Sequence, residues 1–90
     1  MSSSSRFFGL DIHKYFMVAI AVDVDKNKLY GPRRVEWQDF ERWIEQTLTS
    51  QDSVVIEMTT NTWEVYDLLL PHVLNVLVVH PQHIKAIVDA

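Results

Sequence analysis

The chain has no cysteine, which removes disulfides and thiolate metal ligands from consideration. It has no run of roughly 18 consecutive apolar residues, the length a helix needs to cross a membrane, so no membrane partner is expected. Its opening MSSSSR lacks the apolar stretch behind a basic start that marks a secretion signal. It also lacks an excess of positive charge: 12 acids against 8 Lys and Arg give a net charge of −4. A surface that simply coats nucleic acid is normally basic, so any nucleic-acid role must rest on a defined site. Together these absences suit a reducing, cytoplasmic setting.

What remains is globular in character. Hydrophobic residues make up 48% of the 90 positions and charged residues 22%. Residues 1–6 read as a flexible lead-in and residues 7–90 as a single domain. RFFGLDI reads as a first strand. YFMVAIAVDV follows, apolar on both faces, and reads as a strand buried on both sides. DKNK supplies turn chemistry, so LYGPRRVEW should fold back as a hairpin partner. Pro32 cannot donate to a sheet ladder and assigns that strand to an edge.

The period then changes. Phe40, Trp43, Ile44 and Leu48, with Thr47 in the same stripe, recur at helical spacing, and Gln38 or Asp39 stands near the start. SVVIEM is a fourth strand. Asn61 with Glu64 opens a helix through TWEVYDLLL, which Pro71 stops. VLNVLVV is a fifth strand, and HPQHIKAIVDA begins a helix with Pro81 in the favoured first position. The order is β-β-β-α-β-α-β-α: an α/β mixed sheet whose first three strands form an antiparallel meander. The later strands add in parallel through right-handed crossovers. The chain reads as truncated near its C-terminal helix.

Two acids break the apolar runs. Asp11 sits among Phe7, Phe8, Leu10 and Ile12, and Glu57 follows Val54, Val55 and Ile56. Both fall late in a strand, and the carboxyl ends of parallel strands are where open α/β sheets bind ligands. On neighbouring strands their backbones would lie about 4.8 Å apart. Carboxylates that close repel unless a proton or cation intervenes, and magnesium favours one or two carboxylates plus phosphate oxygens. Each acid also has a plainer reading, as a turn residue or one half of an ordinary ion pair.

The segments GLDIHKYF, VVIEMTTNTWEVYDLLLPHV and VVHPQHIKAI together resemble the N-terminal catalytic domain of DEDD-type insertion-sequence transposases, the group related to the Piv and MooV DNA recombinases. The resemblance runs from about Phe8 to Ala90. It implies a ribonuclease-H-like fold of the Holliday-junction-resolvase kind. It also implies an Asp, Glu, Asp, Asp tetrad that binds Mg2+ or Mn2+ and acts on DNA phosphodiester bonds. Asp11 matches the first acid and Glu57 the second, as catalytic residues and metal ligands. The other two acids lie, in the family, beyond a segment like HPQHIKAIVDA, and Asp89 falls before that point and is not assigned. The implied partners are DNA and an element-encoded RNA. The full-length protein would be an enzyme, and the 90-residue fragment alone would be inactive.

Other residues carry a functional and a plainer reading side by side. His13, Lys14, Thr59 and Asn61 are candidate phosphate or nucleic-acid contacts, against plain loop and surface roles. His80 and His83, three apart, lack a third metal ligand and read as solvated helix-entry residues. Trp43, Trp63 and Tyr66 have the spacing of a core face rather than of base-stacking platforms. Arg33 and Arg34 read as a charged edge that blocks strand pairing, with contact to a nucleic-acid backbone as the alternative. Two other functions stay open at this level. One is a sugar- or acetate-kinase-like nucleotide-binding module, disfavoured by the bulky IHKYF after the aspartate. The other is a self-association module, since an incomplete sheet leaves apolar surface for a homo-oligomer to cover.

Overall fold

A computed structural model describes residues 6–57 and 62–79. Five strands and two α-helices follow the expected order: β1 (Arg6–Ile12), β2 (Phe16–Val22), β3 (Lys28–Glu36), α1 (Phe40–Thr47), β4 (Asp52–Glu57), α2 (Thr62–Leu69) and β5 (Asn75–Val79). Short 3-10 turns, Trp37–Asp39 and Leu70–His72, enter α1 and leave α2. The segment HPQHIKAIVDA lies outside the described residues, as do Met58, Thr59, Thr60 and Asn61.

The strands form one sheet in the order β3-β2-β1-β4-β5. β1 and β2 pair antiparallel, as do β2 and β3, which makes the expected meander. β4 joins β1 in parallel, and β5 joins β4 in parallel. This mixed α/β sheet with its helices is the one the sequence pattern gives, and it is compatible with the ribonuclease-H-like fold that the family resemblance implies.

Local chemistry explains each turn. Asp23 closes the β2–β3 hairpin: its Oδ1 accepts from the backbone N–H of Asp25 and of Asn27, both at 2.9 Å. Such side-chain bonds replace a missing ladder and favour a turn. β3 is an edge strand, as Pro32 requires. Gly31 has φ +81°, and a Cβ there would collide with the carbonyl oxygen of Ala19, so this kink admits only glycine. The β2–β3 register shifts just there, between Ala19 and Val22.

One sheet face carries the core. Phe8, Leu10, Val54 and Ile56 point to it and are covered by Phe40, Trp43 and Ile44 of α1 and by Val65 and Leu69 of α2. Trp63 departs from the core expectation and is 62% exposed. The buried stripe of α2 is Thr62, Val65 and Leu69, so Trp63 stands one residue off it and turns outward, its ring against Tyr66. β2 departs as well. Met17, Ala19 and Ala21 are buried, but Ile20 is 40% exposed, because both described helices pack on the other face.

Asp52, at the start of β4, is fully buried. Arg6 meets it with a two-pronged ion pair, Nε to Oδ1 at 2.8 Å and Nη2 to Oδ2 at 2.7 Å. The Thr49 backbone N–H also donates to Oδ2, at 2.8 Å. Removing one partner of a buried pair strands the other charge. Asp52→Ala is expected to cost about 2–4 kcal/mol in urea unfolding, less than a wholly buried pair because Arg6 reaches solvent. A second expectation concerns Asp23. The backbone N–H of Asn27, above all, holds its carboxyl below the ordinary value of 3.8, so it titrates lower in the folded chain than in the unfolded one. The turn's stabilisation is then complete above that ordinary value and fades as pH falls through the folded midpoint. NMR titration of the Asp23 carboxyl carbon should show the lowered midpoint, and Asn27→Ala, which removes the side-chain amide donor to Oδ2 but keeps the backbone N–H, should raise it only part of the way.

Candidate functional site

β1 and β4 run parallel in a register that pairs Arg6 with Asp52 and Leu10 with Ile56. Asp11 and Glu57 each follow the last of those pairs by one residue, so they stand side by side on adjacent strands, about 4.8 Å apart along the backbone. Side chains alternate along a strand. Leu10 and Ile56 point into the helix-covered core, so Asp11 and Glu57 share the opposite face. Both lie at the carboxyl ends of their strands. The apolar neighbours of Asp11 therefore do not bury it. Its side chain is 63% exposed, which removes the desolvation cost that its sequence context suggests.

The ion pair at the other end of the two strands sets this alignment. Arg6 and Asp52 are Cα partners, and Asp11 and Glu57 each lie five residues further on. A slip of one residue would send Glu57 to the opposite face from Asp11.

The β1–β2 turn surrounds Asp11 with further groups. His13 Nε2 lies 2.9 Å from Asp11 Oδ2. The His13 ring stacks on Phe16, with centroids 4.6 Å apart. Trp37 Nε1 donates to the His13 carbonyl oxygen at 3.0 Å, and the His13 backbone N–H donates to the Phe16 carbonyl at 2.9 Å. His13 is thus held in place beside the carboxylate. Lys14 turns aside, its Nζ 5.2 Å from the Tyr15 ring centroid. It borders a groove with Trp37, Phe40, Glu41 and Glu64 on the helix side of the sheet, away from the face that Asp11 occupies.

Across the other strand pair, Glu57 leads into α2. The Thr62 hydroxyl donates to the Glu57 carbonyl at 3.4 Å and ties the helix start to the strand end. Thr59 and Asn61 lie between them, outside the described residues, as do His80, His83 and Asp89. Among the described residues no group of three or more His, Asp or Glu is placed to hold a metal ion. Two side-by-side carboxylates that share a face match the protein's part of a magnesium shell completed by substrate phosphate and water.

Sequence reasoning passed over two participants. One is Asp52, the register pin, whose partner lies 46 residues away in the chain. The other is the stack on Phe16: the Arg34 guanidinium carbon lies 3.7 Å from the centre of that ring. The only sequence signal for the stack was an arginine on an edge strand.

Residues 8–90 match the model of the DEDD transposase family of the IS110 type, described as a transposase. No curated protein and no solved structure matches the chain significantly. No helix among the described residues is long and apolar enough to cross a membrane.

Proposed function

The chain belongs to the IS110-type DEDD transposase family, and from that premise we propose that it is the N-terminal part of a metal-dependent transposase acting on DNA phosphodiester bonds. Asp11 and Glu57 supply the first two acids of the tetrad and hold Mg2+ or Mn2+. One observation carries this reading: the β1–β4 register sets both acids side by side on one face at the carboxyl ends of their strands. A divalent cation bound there would offset the charge of a phosphodiester and lower the pKa of a coordinated water. The chain's own share is placement. Asp11 and Glu57 fix the ion's position, and His13 orients the Asp11 carboxylate from its seat on Phe16. His13, Thr59 and Asn61 are the candidate contacts to DNA phosphate, whereas Lys14 borders the groove on the helix side, away from the face of Asp11. The resemblance assigns two of the four acids within these 90 residues, so the isolated chain is inactive.

Titration with Mn2+ tests the site. Paramagnetic broadening of amide signals should centre on residues 10–12 and 56–57, and Asp11→Asn should weaken binding roughly tenfold. Broadening centred elsewhere, or unchanged in Asp11→Asn, contradicts the assignment. In parallel, the isolated chain should leave supercoiled plasmid intact with either metal, and cleavage that Asp11→Ala abolishes would overturn the claim of inactivity.

A further inference from the structure

Asp11 pairs with Val18 across β1 and β2, and Val18 pairs with Arg34 across β2 and β3. Directly paired residues share a face. Glu57, Asp11, Val18 and Arg34 therefore form one transverse row on the face away from the helices. Arg34 stands two strands from Asp11, about 10 Å along that row.

The side chain of Arg34 is set rather than free. Its guanidinium lies over Phe16, 3.7 Å from the ring centre, and His13 stacks on the same ring while touching Asp11. Its Nε donates to Glu36 Oε1 at 2.8 Å. Among the described residues, its two Nη groups make no hydrogen bond. Stacking and one ion pair thus fix the plane of the guanidinium and leave its outer fork open, the geometry suited to two phosphate oxygens. Arg33, its neighbour, pairs with Ala19, which faces the buried core side of the sheet, so it serves the other face. A charged edge that merely blocks strand pairing would need charge alone. It would not need an arginine seated on an aromatic ring in register with the acid.

We propose that Arg34 is a phosphate seat for the nucleic-acid strand whose scissile phosphate is held at Asp11 and Glu57. This inference rests on the metal-site reading above. Duplex DNA advances about 3.4 Å per nucleotide along one strand, so Arg34 meets the backbone within about three nucleotides of the reacting phosphate. The seat supplies positive charge beside an acidic pair in a chain of net charge −4. It acts through position and leaves the chemistry to the carboxylates.

The test compares the wild-type chain with Arg34→Gln, Arg34→Lys and Arg33→Gln, using a fluorescein-labelled 20-base-pair duplex and anisotropy across a salt series. Arg34→Gln should weaken binding roughly five- to tenfold and lower the slope of log affinity against log salt by about one. Arg34→Lys should restore the slope but only part of the affinity, because a lysine lacks the fork and the stack. Arg33→Gln should bind like wild type. Equal losses for Arg33→Gln and Arg34→Gln, an unchanged Arg34→Gln, or no binding by the wild-type chain at low salt overturns the proposal. Mn2+ titration of the same proteins separates the two claims. Arg34→Gln should bind Mn2+ as wild type does, and wild type failing to bind it would sink the metal-site reading while the duplex data still judge Arg34.

Discussion

The parallel pairing of β1 with β4 is the constraint on which the rest of the site depends. It is pinned at one end by the buried Arg6–Asp52 pair and ends, five residues on, at Asp11 and Glu57. Because side chains alternate with a period of two, a slip of one residue would separate the acids onto opposite faces. The apolar run of β4 is a poor guarantor of register on its own, since Ser53, Val54, Val55 and Ile56 offer limited contrast between faces. A two-pronged ion pair has one geometry and removes the ambiguity. A group far from the candidate chemistry thereby fixes the chemistry's alignment.

Much of this was legible in the sequence. The change from strand to helical period, the turn residues after β2 and Pro32 at an edge are local signals, and the element order follows from them. Asp11 and Glu57 stood out because an acid in an apolar run is expensive if buried. The structure sharpens that reading, since Asp11 lies on the exposed face and avoids the cost. Asp52 was not legible: its partner is 46 residues away, and an acid before a strand looks like turn chemistry. Trp63 was misjudged because a helix face is decided by tertiary packing, and a residue one position off the stripe turns outward. The burial expected on both faces of β2 failed for a related reason. Apolar alternation tells that a face is apolar, not what covers it.

The acidic balance of the chain and a DNA partner are compatible once charge is placed rather than summed. Asp11 and Glu57 concentrate negative charge at the carboxyl ends of two interior strands, where a divalent cation would neutralise it. Arg34 lies on the same face two strands away, with His13 and Phe16 between. An aromatic ring with a histidine on one side and an arginine on the other is a rigid bridge from the acid to the cation. Its order comes from stacking, which holds the two polar groups without burying either. Positive charge is thus confined to a few fixed points, consistent with recognition by a site rather than by a coating surface.

The central claim is that Asp11 and Glu57 act on one ion because the register makes them neighbours. A double-mutant cycle on Mn2+ affinity tests it most directly, using Asp11→Asn, Glu57→Gln and the double variant in calorimetric titrations. If the two carboxylates share an ion, either single change removes most of the affinity and the double change adds little, a clear departure from additivity. Independent, additive losses from the two substitutions would contradict the account.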